Sequence, residues 1–211
     1  MSIIRKAKEL APPTTLVLGS NGSGKSSLVR DEILNAGWKA LWVAFNNTAA
    51  LTDGNEKVAE WAVAVPENWA EFSSDIIVPA VGGEFKEYNT LVLDGINVTA
   101  ALALNKVVGS KTVTTQADWG DASELIRDAI VKLRSQFDRV FITVDVVSTE
   151  AGSKKTALNP YLHNLITTLC GERWYTYVKP QKDAKGQIIG VRYDVQRNSA
   201  LALKFTPNPS K

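Results

Sequence analysis

The chain is poor in the residues that build metal clusters, disulfides and membrane spans. Its 211 residues include one cysteine, Cys170, one histidine, His163, and one methionine. A lone cysteine cannot close an internal disulfide, so a reducing, cytoplasmic setting is expected. Cys170 follows Ile166-Thr167-Thr168-Leu169 and reads as a core filler rather than a nucleophile. With no Cys/His cluster around it, His163 is no candidate for a metal ligand. No apolar run approaches the ~20 residues of a membrane-spanning helix. Met1-Ser2-Ile3-Ile4-Arg5-Lys6 is basic but lacks the apolar centre of a secretion signal, so no membrane partner is expected. An excess of one charge is missing too: 24 Lys and Arg stand against 22 Asp and Glu, a net charge of +2. Bulk charge therefore makes no case for nucleic-acid binding, and any such case rests on where individual lysines lie.

What is present is ordinary in composition, 45% apolar and 22% charged, and fits one sizeable soluble domain. The expected organisation is an N-terminal segment over 1–12, either docked on a neighbouring subunit or disordered, one domain over 13–206, and a tail over 207–211.

The strongest signal is Gly19-Ser20-Asn21-Gly22-Ser23-Gly24-Lys25-Ser26, which fits G-x-x-x-x-G-K-[ST], the phosphate-binding loop of nucleotide hydrolases and kinases. Glycines let backbone N–H groups converge on phosphate oxygens at dihedrals that a side chain forbids. Lys25 reaches the outer phosphates, and the Ser26 hydroxyl ligates Mg²⁺. The helix starting here, with Ser27 in its first turn, aims its positive end at the same anion. The flanks agree. Thr14–Leu18 is a short apolar, partly β-branched run suited to a buried parallel strand. Leu28, Val29, Glu32 and Ile33 have helical spacing, and Gly37 supplies the helix stop.

A second signal is Leu91-Val92-Leu93-Asp94, an apolar strand that ends in one carboxylate. Behind an upstream phosphate loop, such an acid holds Mg²⁺ opposite the loop serine, which makes Asp94 the metal partner of Ser26. Lys39–Phe45 and Val140–Val147 are further buried strands. Residues 51–74 read as helix and turn. Ile76–Pro79 reads as a short edge strand, since proline is excluded from a central one. An amphipathic helix is expected over about 121–136, another over Pro160–Leu169, and antiparallel strands over Tyr175–Lys179 and Gly190–Gln196 joined at Asp183-Ala184-Lys185-Gly186. Leu201–Phe205 adds a possible last strand. The expected fold is α/β: a mainly parallel central sheet flanked by helices and extended by C-terminal antiparallel strands.

This order of features resembles the RecA-type P-loop ATPase core, and within it the small phage-encoded single-strand annealing and recombination proteins. The resemblance rests on the Gly19–Ser26 loop, the Leu91–Asp94 strand, Gln116-Ala117-Asp118-Trp119-Gly120 ahead of a long helix, the Phe141–Val147 strand and the C-terminal hairpin. It implies a RecA-like P-loop NTPase that binds ATP and Mg²⁺, forms homo-oligomers and acts on single-stranded DNA in the host cytoplasm. It further implies that Asp145, near the end of a strand beside that of Asp94, occupies the place of a γ-phosphate sensor. In that family the strand after the phosphate-loop helix usually ends in an acid that polarises water. Here that place reads Phe45-Asn46-Asn47. An amide such as Asn47 positions water but accepts no proton at neutral pH, which points to slow hydrolysis. Glu56, Glu60, Asp145 and an acid from a neighbouring subunit stand as alternative bases.

Two loops in the places that face DNA in RecA-type cores, 105–116 and 148–159, are rich in Gly, Ser and Thr. They carry Lys106 and Lys111, and Lys154 and Lys155. Flexible lysines suit phosphate contacts without base reading. Neither loop has an aromatic for stacking bases. Two other classes share the loop. A nucleotide or small-molecule kinase needs an Arg-rich lid, and the mid-chain offers only Arg127, Arg134 and Arg139. A nucleotide-dependent structural or regulatory protein with negligible turnover suits Asn46-Asn47.

Overall fold

The computed structural model describes residues 14–45, 51, 56–148, 154–183 and 186–199. The segments 1–12 and 207–211, Asn46, Asn47 and Leu201–Phe205 lie outside the described residues. The strands are β1 (Thr14–Gly19), β2 (Ala40–Ala44), β3 (Ala62–Ala64), β4 (Thr90–Asp94), β5 (Arg139–Ser148), β6 (Lys154–Thr156), β7 (Glu172–Lys182) and β8 (Ile188–Ser199). The helices are α1 (Lys25–Ala36), α2 (Trp69–Glu71), α3 (Val78–Gly82), α4 (Ile96–Val108), α5 (Gln116–Arg134) and α6 (Pro160–Leu169).

The sheet runs β3-β2-β4-β5-β1-β7-β8. Every pairing from β3 to β7 is parallel, β8 is antiparallel to β7, and β6 pairs antiparallel with β5. The expected α/β class, mainly parallel sheet and antiparallel C-terminal strands are therefore present. β1, β2 and β4 are buried along their whole length because both faces of the sheet are covered there. Alternate residues go to opposite sides. Leu16, Leu18, Leu41, Val43, Leu91, Leu93 and Ile142 join Ala100 of α4, Ile126 and Ile130 of α5 and Ile166 of α6 in one core. Val17, Trp42, Val92, Phe141 and Trp174 join Val29 and Ile33 of α1 in the other. Trp42 stacks on Trp61 with ring centroids 6.1 Å apart, Trp174 packs at 5.5 Å from Phe141, and Trp38 lies under the Arg139 guanidinium. Cys170 is buried, and burial pushes its thiol up to about 12, the behaviour of an inert core residue.

Four expectations need correction. Residues 76–79 are helical, not strand: a π-helical turn over Phe72–Ile77 runs into α3, with Pro79 in the first turn of α3. Asn68 starts this stretch, its side chain accepting from the Glu71 N–H, and Trp69, Phe72, Ile76 and Ala80 share the buried face at helical spacing. Within 51–74, Ala62–Ala64 is an edge strand rather than helix or turn. Both expected loops are shorter than 105–116 and 148–159: residues 105–108 of the first belong to α4, and residues 154–156 of the second form β6. Helix α5 begins at Gln116, five positions before the expected 121. A capping box sets that start: the Thr115 hydroxyl accepts from the Asp118 N–H at 3.3 Å, and the Asp118 carboxylate accepts from the Thr115 N–H at 2.8 Å.

Asp118 is held at about 2 by the Lys111 ammonium at 2.6 Å and the two Thr115 donors. A depressed carboxyl stabilises the fold above its ordinary pKa of about 3.9, and that contribution fades as pH falls towards the lowered value. Thr115→Ala is expected to lower unfolding free energy by about 1 kcal/mol, read from the urea midpoint at neutral pH. An unchanged midpoint contradicts the cap assignment.

Candidate functional site

Parallel strands bring their C-terminal ends to one edge, where open α/β sheets place their ligands. Register then decides which side chains meet. Gly19 of β1 lies between Asp145 of β5 and Thr176 of β7. Leu93 of β4 pairs with Ile142 of β5, which brings Asp94 beside Thr143. These residues, the loop after β1 and the first turns of α1 line a cleft of about 540 Å³. β5 separates β1 from β4, leaving two strand spacings, about 9.6 Å, between the loop and the Asp94 strand.

Two glycines shape the loop for different reasons. A Cβ on Gly19 lands 2.1 Å from Thr176 Oγ1 and 2.3 Å from Ser23 Oγ. Gly24, the residue before α1, takes φ of 83°, in the left-handed region. Ser23 and Thr176 share a buried hydroxyl hydrogen bond of 2.6 Å. Thr176 donates in turn to the Leu18 carbonyl at 3.3 Å, fixing the loop to β7. Helix α1 has no side-chain cap and no acid in its first turn, so its leading N–H groups face the cleft. Helix α4 is preceded by Gly95, also a cleft residue, and is also uncapped by a side chain. The long helices that start elsewhere, α5 and α6, carry Thr115 and Asn159 caps.

Lys25 is only 8% exposed. Its ammonium donates to the carbonyls of Gly19 at 3.1 Å and Ser20 at 3.0 Å, and pairs with Asp145 at 2.7 Å. Asp145 Oδ2 accepts from Asn97 of α4 at 3.1 Å. Ser26 Oγ donates to Asp94 Oδ1 at 3.0 Å. Thr143 Oγ1 donates to the same oxygen at 2.6 Å and accepts from the Gly95 N–H at 2.8 Å, so one hydroxyl locks the Asp94 carboxylate and the start of α4 together. Burial pushes the Asp94 carboxyl up, against the pull of its Thr143 and Ser26 donors. A hydroxyl and a carboxylate in contact in the lining of a cleft are hard oxygen donors of the kind Mg²⁺ takes. The ammonium and the open helix starts suit a polyanion beside it.

The structure thus gathers Asn21, Gly22, Ser23, Gly24, Lys25, Ser26, Ser27, Asp94 and Asp145 at one cleft, with the Gly19 and Ser20 carbonyls on Lys25. Asn47 lies outside the described residues. Glu56 and Glu60 are exposed and are not part of the cleft lining. Lys106 and Lys155 are exposed, while Lys111 is tied to Asp118. Lys154 stands in β6, its side chain outside the described set. Arg197 pairs with Glu32 of α1 at 2.7 Å and stacks over Trp174, well placed to brace β8 against α1. His163 meets the Thr156 hydroxyl at 3.2 Å, and among the described residues no group of His, Cys, Asp and Glu forms a metal cluster. Among the described residues no helix is long and apolar enough to cross a membrane. Sequence reasoning missed Thr143, Thr176, Asn97 and Tyr193. Three of the four lie on strands, and their roles depend on register, which spacing along the chain does not reveal.

Compared with protein-family models and with curated proteins, the sequence matches none.

Two outcomes test this geometry. Gly19→Ala places a methyl against Thr176 and Ser23 and is expected to cost about 1–3 kcal/mol in chemical denaturation; a neutral result contradicts the close approach. Asp94→Asn tests the raised carboxyl. A folded-state pKa above the unfolded one favours folding below about pH 4 and loses that benefit as pH rises through the raised value. At neutral pH the buried charge therefore opposes folding. Asp94→Asn is expected to raise the melting temperature at neutral pH, with the gain shrinking towards pH 4; a loss at every pH contradicts it.

Proposed function

We propose that this chain is a RecA-type P-loop ATPase core that binds Mg-ATP at Gly19–Ser27, hydrolyses it slowly, and acts as an oligomer on single-stranded DNA in phage recombination or replication. The observation that carries the nucleotide reading is the contact of Ser26 with Asp94, 3.0 Å apart, beside the buried ammonium of Lys25. Two segments 68 residues apart, paired in the sequence reading as metal ligands, meet at one cleft edge. Ser26 and Asp94 would hold the metal, whose charge would neutralise outer phosphate oxygens when bound. Lys25 would leave Asp145 for those oxygens. The Gly24–Ser27 backbone would orient the inner phosphates, while Thr143 keeps the Asp94 carboxylate aimed.

Asp145 fits the sensor place that the resemblance implies, since β5 sits between the loop strand and the Asp94 strand. Its carboxylate is occupied by Lys25 and Asn97, which favours slow turnover and gives the switch-protein reading a specific observation. The kinase reading loses ground: Arg127 is engaged with Glu124 and Asp128, Arg134 with the Leu169 carbonyl, and Arg139 with the Trp38 ring. The DNA reading leans on two exposed lysines, Lys106 in the last turn of α4 and Lys155 in β6, beside the segments that the resemblance sets against DNA.

Calorimetry is expected to give saturable Mg-ATP binding that Lys25→Ala weakens about 10- to 100-fold or more, the worth of one or two charge-assisted hydrogen bonds. Single-stranded DNA at low salt is expected to stimulate ATP hydrolysis. Absence of Mg-ATP binding overturns the nucleotide reading, and absence of DNA affinity overturns the DNA reading alone.

A further inference from the structure

The cleft has two unlike ends. Asp94, Thr143 and Asp145 form one; Tyr193, Asp194 and Val195 of β8 form the other. In sheet order the acidic end lies on β4 and β5, β1 is central, and β7 and β8 follow on the far side. At about 4.8 Å per strand, β4 and β8 stand roughly 19 Å apart, with the loop between them.

The far end carries an uncovered apolar strip. Thr176 faces the loop through its 2.6 Å bond to Ser23, so by alternation Val178 and Pro180 share its side of β7. Their partners across the hairpin are Val195 opposite Thr176, Tyr193 opposite Val178 and Val191 opposite Pro180. These five apolar residues form one face of the hairpin. Tyr193 is 58% exposed, and Val178, Val191 and Val195 are exposed as well. The strip starts at the loop itself: Tyr193 Cδ1 lies 3.2 Å from the point a Cβ on Gly24 would occupy. The phenol ring therefore stands over the residue that precedes α1. The opposite face of β8 is charged, with Asp194 paired to Lys179 at 2.9 Å and Arg192 at 2.6 Å.

We propose that the β7–β8 hairpin is the nucleobase platform, with the base of the bound nucleotide stacked on Tyr193 and flanked by Val195. This rests on the Mg-triphosphate reading above and adds to it the residue that holds the other end of the ligand. A nucleoside triphosphate is a linear ligand with its metal at one end and a flat apolar ring system at the other. Ser26 and Asp94 fix the metal end, so phosphates running along the loop deliver sugar and base towards β7 and β8. A flat ring system is what an exposed tyrosine beside valines accepts, and stacking of this kind tolerates any base. A second copy of the chain on the same strip is the competing occupant. The ring contact with Gly24 and the continuity of strip and cleft favour the base.

The test compares Mg-ATP with Mg-tripolyphosphate, which has the phosphates and lacks the base, using calorimetry on the full chain and on Tyr193→Ala and Tyr193→Phe. The proposal predicts that Tyr193→Ala weakens Mg-ATP about 5- to 100-fold, leaves tripolyphosphate within about 2-fold, and that Tyr193→Phe restores Mg-ATP binding. Fluorescence of 1,N6-etheno-ATP is expected to be quenched by the unaltered chain and not by Tyr193→Ala. Equal Mg-ATP affinity in Tyr193→Ala and the unaltered chain overturns the platform while leaving the nucleotide reading standing. Loss of both ligands in Tyr193→Ala, with a shift to a smaller species on size exclusion, overturns it in favour of a subunit contact. Failure of the unaltered chain to bind either ligand overturns both readings.

Discussion

The ammonium of Lys25 is the group on which the site depends. Removing a charge from water is costly unless partners replace the hydration. Here two loop carbonyls and the Asp145 carboxylate do so at 3.1, 3.0 and 2.7 Å. The same three oxygens fix the curvature of the loop, because two of them belong to its first residues. A buried cation with a partner that can be exchanged is poised for an incoming anion: a phosphate oxygen can replace the carboxylate without leaving the charge bare.

Around that cation the fold spends local stability on openness. The two long helices that start at the cleft, α1 and α4, lack side-chain caps, whereas α5 and α6 have them. Asp94 is kept in a place where burial opposes its charge, and Thr143 and Ser26 only partly offset this. Each feature is unfavourable for an empty protein and favourable for one holding a metal and a polyanion. Asp145 links this cleft to α4 through Asn97, so a change of partner at Lys25 bears directly on the helix that leads to residues 109–115.

Much of this was legible in the chain. The glycine loop and the Asp94 strand were readable because each compresses its chemistry into a short, spaced pattern. Helix α6 was readable at its observed limits, and the β7–β8 hairpin from its alternation and its Asp183–Gly186 turn. The segment around Ile76–Pro79 misled because β-branched residues before a proline resemble an edge strand, while burial of Trp69, Phe72, Ile76 and Ala80 on one side favoured helix. Helix α5 starts earlier than its apolar stripe because the Thr115–Asp118 capping box, and not the first apolar position, sets its first turn. Thr143 and Thr176 were invisible because their roles come from strand register across sequence separations of 49 and 153 residues. Tyr193 was read as one more alternating strand residue, and only the placement of β8 two strands from β1 brings it over Gly24.

The most direct test of the account is electron paramagnetic resonance of Mn²⁺ substituted for Mg²⁺ and titrated with ATP and the purified chain. The account predicts that the spectrum of Mn-ATP changes on adding protein, saturates at one ion per chain, and reverts to that of free Mn-ATP with Asp94→Asn. A Mn-ATP spectrum indifferent to the protein, or one altered equally by Asp94→Asn, contradicts it.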